Sequence, residues 1–362
     1  MSRIALMLLL SAVPLLAVFA DRTAPAAPTL PDPPGYVCCR AKHPIKIDGK
    51  LDDEAWADAA WSEPFVDIEG DAKPQPRFRT RMKMLWDDEC LYIAAELEEP
   101  HLWATLTEHD SIIFLDHDFE MFLDPDGDNH NYAELELNAK NTTWDLMLTK
   151  PYRAGGKALH AWEILGLKTA VHLDGTLNDP RDVDKGWTLE IAWPWRGLKE
   201  LTSVKVPPAN GDQWRANFSR VEWDLEVVDG KYRKIKNRPE HNWVWSPQGV
   251  IDLHRPERWG YVQFSTAKPG TTAFRPDPER HVRDALQRVY EAQRESWEKT
   301  GTYADSLAAL KLDPLALPKG LRVERTRTAF EAEAPSVGDP AVRWVISQDA
   351  WIRKVGPAQT KK

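Results

Sequence analysis

The fold of this chain is decided by the stretch Phe78–Glu99, which reads FRTRMKMLWDDECLYIAAELEE. In its first half, the apolar residues Met82, Met84 and Trp86 alternate with Arg81, Lys83 and Leu85. The acidic triplet at 87–89 interrupts this pattern, which resumes over Leu91–Leu97. Alternation with a period of two gives a strand one buried and one mostly solvated face. The stretch therefore predicts a β-hairpin.

The same alternation recurs on both sides of the hairpin, between residues 36 and 264. Turns rich in Asp, Asn and Gly separate the runs, and many short strands between such turns are typical of sandwiches and barrels. We therefore predict an all-β fold, an antiparallel, jelly-roll-like β-sandwich over residues 36–266. One short helix is predicted inside it, at Asp52–Ala60. The other alternating runs are 119–123, 133–137, 187–193, 214–218 and 261–264.

After residue 266 the apolar spacing becomes helical. Asp277-Pro278 is typical of a helix start, with Asp as the cap and Pro as the first helical residue, and Gly301 is typical of a helix end. A second, short helix is predicted at Tyr303–Leu310, followed by two strands at 321–332 and 342–353. Residues 267–362 are thus predicted to form a small α+β segment.

Composition limits the classes of function. The chain has 362 residues and a net charge of −9, from 47 basic and 56 acidic side chains. Nucleic-acid binding relies on Lys and Arg, so we expect no nucleic-acid partner. Three cysteines are too few for a disulfide framework. Pairing of Cys38 or Cys39 with Cys90 and three unpaired thiols both remain open.

The N-terminus predicts export. Arg3 precedes a short apolar run that ends at Ala20, which is typical of a secretory signal peptide over residues 1–20. Residues 21–35, rich in Pro and Ala, are predicted to be a linker. No later segment is apolar enough to span a membrane, so the mature protein is expected to be secreted, periplasmic or part of the cell envelope.

An acidic turn follows the run 119–123. Asp124, Asp126 and Asp128 offer carboxylate oxygens on a tight turn, which is the chemistry that Ca²⁺ prefers. The spacing does not fit an EF-hand, because Asn129 stands at the glycine position and Leu135 at the final glutamate position. A structural calcium site is predicted, and a solvated turn whose side chains cap the backbone is the alternative.

A row of polar residues predicts a ligand-binding face. Glu134, Glu136 and Asn138 alternate with apolar residues and therefore share one face of a strand, and Glu120 is expected on the neighbouring strand. Carboxylates and amides bond sugar hydroxyls, and indole rings stack on sugar C–H surfaces. Trp144 and Trp243 follow polar residues and are predicted ligand contacts. Ordinary solvation of the face and burial of the indoles are the alternatives, and Trp193, Trp214 and Trp259 are predicted core residues.

The sequence resembles family 9 carbohydrate-binding modules. Five motifs carry the resemblance, in the order found in the family, at Ile45–Trp56, Met84–Ile93, Asp118–Asp126, Gly186–Trp195 and Trp259–Val262. The resemblance implies a β-sandwich of two antiparallel sheets, structural calcium, and binding of cellulose-type or xylan-type chains or of small sugars. Modules of this kind often accompany glycoside hydrolases in exported proteins.

The resemblance also implies individual roles. The sugar-contacting Glu and Asn of the family correspond to Glu120 and Asn138. An Arg of the family corresponds to Glu136, which reverses the charge. One Trp of the pair that encloses the sugar corresponds to Phe114, and the other falls near Leu253 or His254 and is absent.

These observations predict an exported, non-catalytic protein that binds poly- or oligosaccharides in carbohydrate catabolism. A glycoside hydrolase is one alternative, because two carboxylates about 5–10 Å apart suffice for that chemistry. The other is a structural protein of the cell envelope whose C-terminal segment docks onto other exported or envelope proteins.

Overall fold

The structure is a computed structural model that describes residues 31–356. The predicted signal peptide and residues 21–30 of the predicted linker lie outside these residues. The described chain contains one α-helix, α1 (Arg280–Thr300), and the following strands. They are β1 (Gly35–Arg40), β2 (Val66–Asp67), β3 (Thr80–Trp86), β4 (Cys90–Glu98), β5 (Asp118–Asp124), β6 (Tyr132–Asn138), β7 (Thr143–Leu148), β8 (Ala158–Leu159), β9 (Lys168–Asp174), β10 (Gly186–Pro194), β11 (Gln213–Glu222), β12 (Leu225–Val228), β13 (Lys231–Lys234), β14 (His241–Val244), β15 (Gly260–Ser265), β16 (Arg322–Arg325), β17 (Phe330–Pro335), β18 (Arg343–Ser347) and β19 (Ile352–Val355).

The main sheet is mixed rather than wholly antiparallel. Its strand order is β8-β7-β6-β5-β11-β15-β1-β3-β4-β10-β9, and β14 and β2 continue from β11 as a branch. The hairpin predicted from Phe78–Glu99 is present as β3 and β4. However, β1 runs parallel to both β15 and β3, so the antiparallel prediction is only partly right. Parallel neighbours need long connections: residues 41–79 lie between β1 and β3, and residues 41–259 lie between β1 and β15.

One apolar core is shared by both ends of this sheet. Met84 and Ile93, from β3 and β4, belong to the same buried cluster as Met121, Leu135 and Phe218, from β5, β6 and β11. The sheet therefore curls so that its two halves face each other, which is consistent with a sandwich. Trp193 and Trp214 lie in this core, as predicted.

The Ile45–Trp56 motif is held by one buried carboxylate. Glu190 on β10 accepts hydrogen bonds from the Trp56 indole N–H (2.7 Å) and from the backbone N–H groups of Asp48 (2.9 Å) and Gly49 (2.8 Å). The helix predicted at Asp52–Ala60 is only a 3₁₀ turn over Glu54–Asp58, because the chain is already extended at residue 59.

The C-terminal segment is an α+β unit with its own core. Helix α1 packs on a sheet of β16, β17, β18 and β19, so the two predicted strands are four. The helix begins at Arg280 rather than at Pro278, because Asp277 and Pro278 form a preceding turn, and it ends at Gly301 as predicted. Tyr303–Leu310 is not a helix but a series of bends and turns, since a segment this short gains little from helix formation.

All three cysteines are unpaired thiols, and burial raises the pKa of each. Pairing of Cys90 with Cys38 or Cys39 is therefore not observed. Between residues 31 and 356, no helix combines the length and the apolar character needed to cross a membrane.

Candidate functional site

A cavity of about 310 Å³ opens on the face of β5, β6 and β7 that points away from the main core. Loop residues from the segments before β5, after β7 and before β15 complete its wall. The lining residues are Ile68, Phe114, Glu120, Glu134, Glu136, Trp144, Leu146, Tyr152, Val221, Glu240, Asn242, Ile251, Asp252, Leu253 and His254.

Strand register brings three of the predicted site residues side by side. Glu120 on β5 lies opposite Glu136 on β6, and Glu136 lies opposite Trp144 on β7. Residues that face each other across neighbouring strands project their side chains to the same side of the sheet. Phe114, from a 3₁₀ turn at Ile113–Leu115, joins them at the cavity.

Three of the five carboxylates that line this cavity are buried. Glu120, Glu134 and Glu136 are each at most 5% exposed. Burial raises the pKa of Glu120 to about 7, and burial together with the neighbouring carboxylates raises the pKa of Glu134 and of Glu136 well above the ordinary value. The Oε2 atom of Glu120 is buried without a hydrogen-bond partner in the protein.

Glu136 also shapes the cavity wall. Its Oε2 atom accepts a hydrogen bond of 2.9 Å from the backbone N–H of Phe114. The carbonyl of Phe114 in turn accepts a bond of 2.9 Å from the indole of Trp223. The Phe114 ring is therefore held at the cavity by a fixed backbone.

Three aromatic side chains line the cavity. Trp144 is 7% exposed, lies parallel to the His160 ring at a centroid distance of 5.4 Å, and has an indole N–H without a protein partner. Tyr152 is 47% exposed, and partial burial together with the nearby Glu134 and Glu136 carboxylates raises the pKa of its hydroxyl to about 12. With Phe114, these rings supply flat apolar surface beside carboxylate oxygens.

Two predicted site residues lie elsewhere. Asn138 is fully buried, and its amide donates to Leu106 O and Asp116 Oδ2 while its carbonyl accepts from Lys140 N and Thr142 N. Trp243 is 3% exposed and belongs to the main core, where its ring meets Phe78 edge to face. Neither residue lines the cavity. Trp259 is buried in a cluster on the cavity side of the sheet, as predicted for a core residue.

Sequence reasoning missed several lining residues. Leu146 stands two positions from Trp144, so the period of two was the signal that places it on the same face, as it placed Glu134 beside Glu136. Tyr152 comes from a 3₁₀ turn at Tyr152–Ala154, and Glu240 and Asp252 come from irregular segments. None of these segments has a periodic pattern that points to a site.

The acidic turn between β5 and β6 gathers the three predicted metal ligands. Oxygens of Asp124, Asp126 and Asp128 lie within 4.8 Å of one another. Asp126 Oδ1 is buried without a partner, whereas Oδ2 accepts bonds from the Thr202 hydroxyl (2.9 Å) and Ser203 N–H (2.9 Å). Burial and the two neighbouring carboxylates raise the pKa of Asp124 well above its usual range. An all-oxygen set with one unsatisfied oxygen fits a hard cation.

The sequence model of the family described as carbohydrate family 9 binding domain-like matches residues 47–264. The chain is similar to a family 9 carbohydrate-binding module from Caldicellulosiruptor kristjanssonii in complex with cellotriose, at 16% identity, covering 67% of this chain and 100% of that chain, with a TM-score of 0.43. It is also similar to such a module from that organism in complex with glucose, at 17% identity, 66% and 100% coverage and a TM-score of 0.42. No curated protein matches the sequence.

Proposed function

We propose that this chain, which belongs to the carbohydrate family 9 binding domain-like family, binds a carbohydrate in the cavity on β5, β6 and β7 and performs no catalysis on it. The observation that carries the proposal is one cavity in which aromatic rings stand beside buried carboxylates. Every lining residue lies between positions 68 and 254, inside the region that matches the family.

The chemistry of a sugar requires both kinds of group. Each hydrogen bond between a sugar hydroxyl and the protein contributes only about 0.5–1.5 kcal/mol, because water competes for it. A ring that packs on sugar C–H groups removes apolar surface from water and adds to this. Tyr152 is the most exposed of the three aromatic lining residues and is therefore the ring most open to a ligand.

The proposal is tested with a glycan panel and calorimetry on the full chain. We expect Tyr152→Ala to weaken binding of the best glycan at least ~10-fold, equivalent to about 1.4 kcal/mol. Tyr232→Ala, on the β12–β13 hairpin outside the cavity, is the matched control and should bind like the wild type. A panel without any binding, or equal loss in both variants, contradicts the proposal.

Structural calcium is part of the proposal. Asp124, Asp126 and Asp128 are the residues that would hold the ion, and the unsatisfied oxygen of Asp126 supports this assignment. The ion would compensate the charge of three crowded carboxylates at the end of the β5–β6 hairpin.

We further propose that the protein is exported through residues 1–20 and acts in carbohydrate catabolism outside the cytoplasm. The apolar run behind Arg3 supports export, and the family supports a role in carbohydrate recognition.

A further inference from the structure

The cavity is rich in carboxyl groups. Five of its fifteen lining residues, all in the described part of the chain, carry carboxylates, and none is Lys or Arg. Those residues are Glu120, Glu134, Glu136, Glu240 and Asp252. A neutral sugar needs hydrogen-bond donors as well as acceptors, whereas carboxyl groups that a bound cation holds in the ionised form supply acceptors alone.

One of these carboxylates, Asp252, is paired with a cation, because Arg255 Nε lies 3.2 Å from its Oδ2 atom. The other basic groups near the cavity do not neutralise the remaining four. His254 lies with Nε2 4.0 Å from Glu134 Oε2, but burial lowers the pKa of His254 to about 4, so it is uncharged at neutral pH. Arg153 bonds the carbonyl of His254 and is paired with Glu257 at 2.8 Å. Lys234 Nζ lies over the Trp223 ring, 3.4 Å from its centroid.

The unpartnered Glu120 oxygen is a second, independent sign of a ligand. Glu120 is 2% exposed, and its Oε2 atom has no hydrogen-bond partner although the side chain lines an open cavity. Leaving a buried polar atom without a hydrogen-bond partner has a free-energy cost, because the atom has lost its water. A ligand that donates to this oxygen removes that cost.

We propose that the ligand is an amino sugar. The protonated amine of one hexosamine unit donates hydrogen bonds to Glu120, Glu134 and Glu136. The ring of that unit packs against Tyr152 and Phe114. This inference rests on the proposed function and names the class of sugar at the same cavity. Hydrogen bonds between an ammonium group and a carboxylate are about twice as strong as neutral ones. Aromatic walls also attract an ammonium group through their π faces.

A bound metal ion explains the cavity less well. Oxygens of Asp118, Glu120 and Glu136 are close enough to share an ion. However, the volume of about 310 Å³ is of the size that accommodates small organic ligands, and the remaining wall is largely aromatic and aliphatic. Such walls suit the apolar face of a sugar and give no oxygen ligands to a cation.

The test compares three β-1,4-linked tetrasaccharides that differ only at carbon 2: the glucosamine oligomer with an amine, its fully N-acetylated form, and cellotetraose with a hydroxyl. Calorimetry on the full chain should show the amine-bearing oligomer binding at least 10-fold more tightly than the other two. Acetylation removes the charge and leaves the carboxylates unpaired, so the acetylated oligomer should bind weakly.

Two variants separate the site from the net charge of the protein. Glu136→Gln keeps an acceptor for the Phe114 N–H and should weaken binding of the amine-bearing oligomer at least 10-fold. Glu226→Gln, an exposed position on β12, removes the same charge outside the cavity and should leave affinity unchanged. If Glu136→Gln does not fold, Glu120→Gln replaces it, with the same expectation.

Each other outcome overturns the inference. Equal or tighter binding of cellotetraose overturns it and leaves the proposed function standing. If Glu136→Gln and Glu226→Gln lose the same affinity for the amine-bearing oligomer, the oligomer binds through the net charge of the protein alone. Calcium that binds at the cavity and is lost in Glu136→Gln, without binding of the amine, shows a metal site instead. Absence of binding by all three oligomers also overturns it, and the proposed function fails with it only if the wider glycan panel is negative as well.

Discussion

At the residue scale, Glu120 shows that a side chain of the proposed binding site can be buried at a cost in free energy. Its side chain has lost its water and has gained no cationic partner, and the nearby Glu240 carboxylate adds repulsion, so the pKa of Glu120 rises to about 7. A carboxyl group whose pKa is raised in the folded state stabilises that state least when it is ionised. The contribution of Glu120 to the free energy of unfolding is fully present below pH 4.5, which is the pKa of this group in the unfolded chain. The contribution is lost as the pH rises through 7, the pKa in the folded state.

We therefore predict that Glu120→Gln changes the pH dependence of stability. Gln resembles the protonated carboxyl group, so the variant should match the wild type near pH 4.5 and exceed its free energy of unfolding by about 3 kcal/mol above pH 7. The measurement is urea unfolding of both proteins between pH 4.5 and 8. His254 and His117 also titrate in this range: the lowered pKa of His254 makes stability rise with pH over pH 4–6.5, and the pKa of His117 is raised. Both histidines are present in both proteins, so subtracting the wild-type free energy of unfolding from that of the variant removes their contributions.

A constant difference between the two proteins across this pH range would contradict the prediction. The control is Glu226→Gln, whose exposed side chain should give no pH-dependent difference.

The candidate site was predictable from the sequence where it lies on regular strands. Glu120, Glu136 and Trp144 share a face because the side-chain period of a strand is two. Asn138 follows the same alternation, yet it is buried at the end of its strand. Its side-chain amide forms hydrogen bonds with backbone groups of the neighbouring loops. Trp243 follows a polar residue but sits on the short strand β14, beside Arg220 and Phe78, and tertiary packing alone decides its burial.

At the scale of elements, the β5–β6 hairpin links the two sites. Its strands carry Glu120 and Glu136, and its turn carries the three aspartates. Asp124 accepts bonds from the N–H groups of Gly127 (2.9 Å) and Asn129 (3.0 Å), so the turn already has a fixed backbone that presents its oxygens together.

We predict that calcium stabilises this hairpin and with it the whole sheet. A ligand that binds only the native state raises the free energy of unfolding by RT ln(1 + [L]/Kd), about 2.7 kcal/mol at 100 times Kd. The melting temperature should therefore rise with added calcium and fall with a chelator. Asp126→Asn should lose this response, and Asp305→Asn, an exposed control in the C-terminal unit, should retain it.

A melting temperature that is the same with calcium and with chelator would show that the turn is held by its own hydrogen bonds. In that case the alternative interpretation of the sequence, a turn whose aspartates cap the backbone, would be correct.

Elements with strong local patterns were also the ones that sequence predicted well. The β3–β4 hairpin follows from alternation, and the end of α1 follows from Gly301, whose φ of 69° is left-handed. The parallel placement of β1 depends on contacts with strands far away in sequence, which alternation does not encode. Tyr303–Leu310 has helical spacing over too few residues to form a helix without suitable packing.

At the scale of the whole molecule, the turn of the β5–β6 hairpin is also the place where the C-terminal unit docks. The Trp351 indole donates to Asp128 Oδ2 (2.9 Å), Ile352 N–H donates to Asp128 O (3.1 Å), and the Asn129 amide donates to Ala350 O (3.0 Å). The C-terminal unit therefore covers one end of the hairpin whose strands line the cavity. Each unit has its own apolar core, so these contacts join two separately packed units that do not share one continuous core.

The last prediction concerns this junction. Trp351→Ala removes a hydrogen bond worth about 1 kcal/mol and a ring that stacks on His130, so the turn should open more often. Amide exchange over residues 126–131 should accelerate by roughly fivefold, which is the factor for about 1 kcal/mol of local stability. Trp297→Ala is the matched control, since Trp297 is similarly exposed (38% against 39%) but stacks on Tyr303 inside the C-terminal unit. Sugar affinity should stay unchanged in both variants, because backbone pairing of β5 with β6 holds the cavity residues in register. Exchange that is equally fast in both variants would mean that the junction adds no stability to the turn.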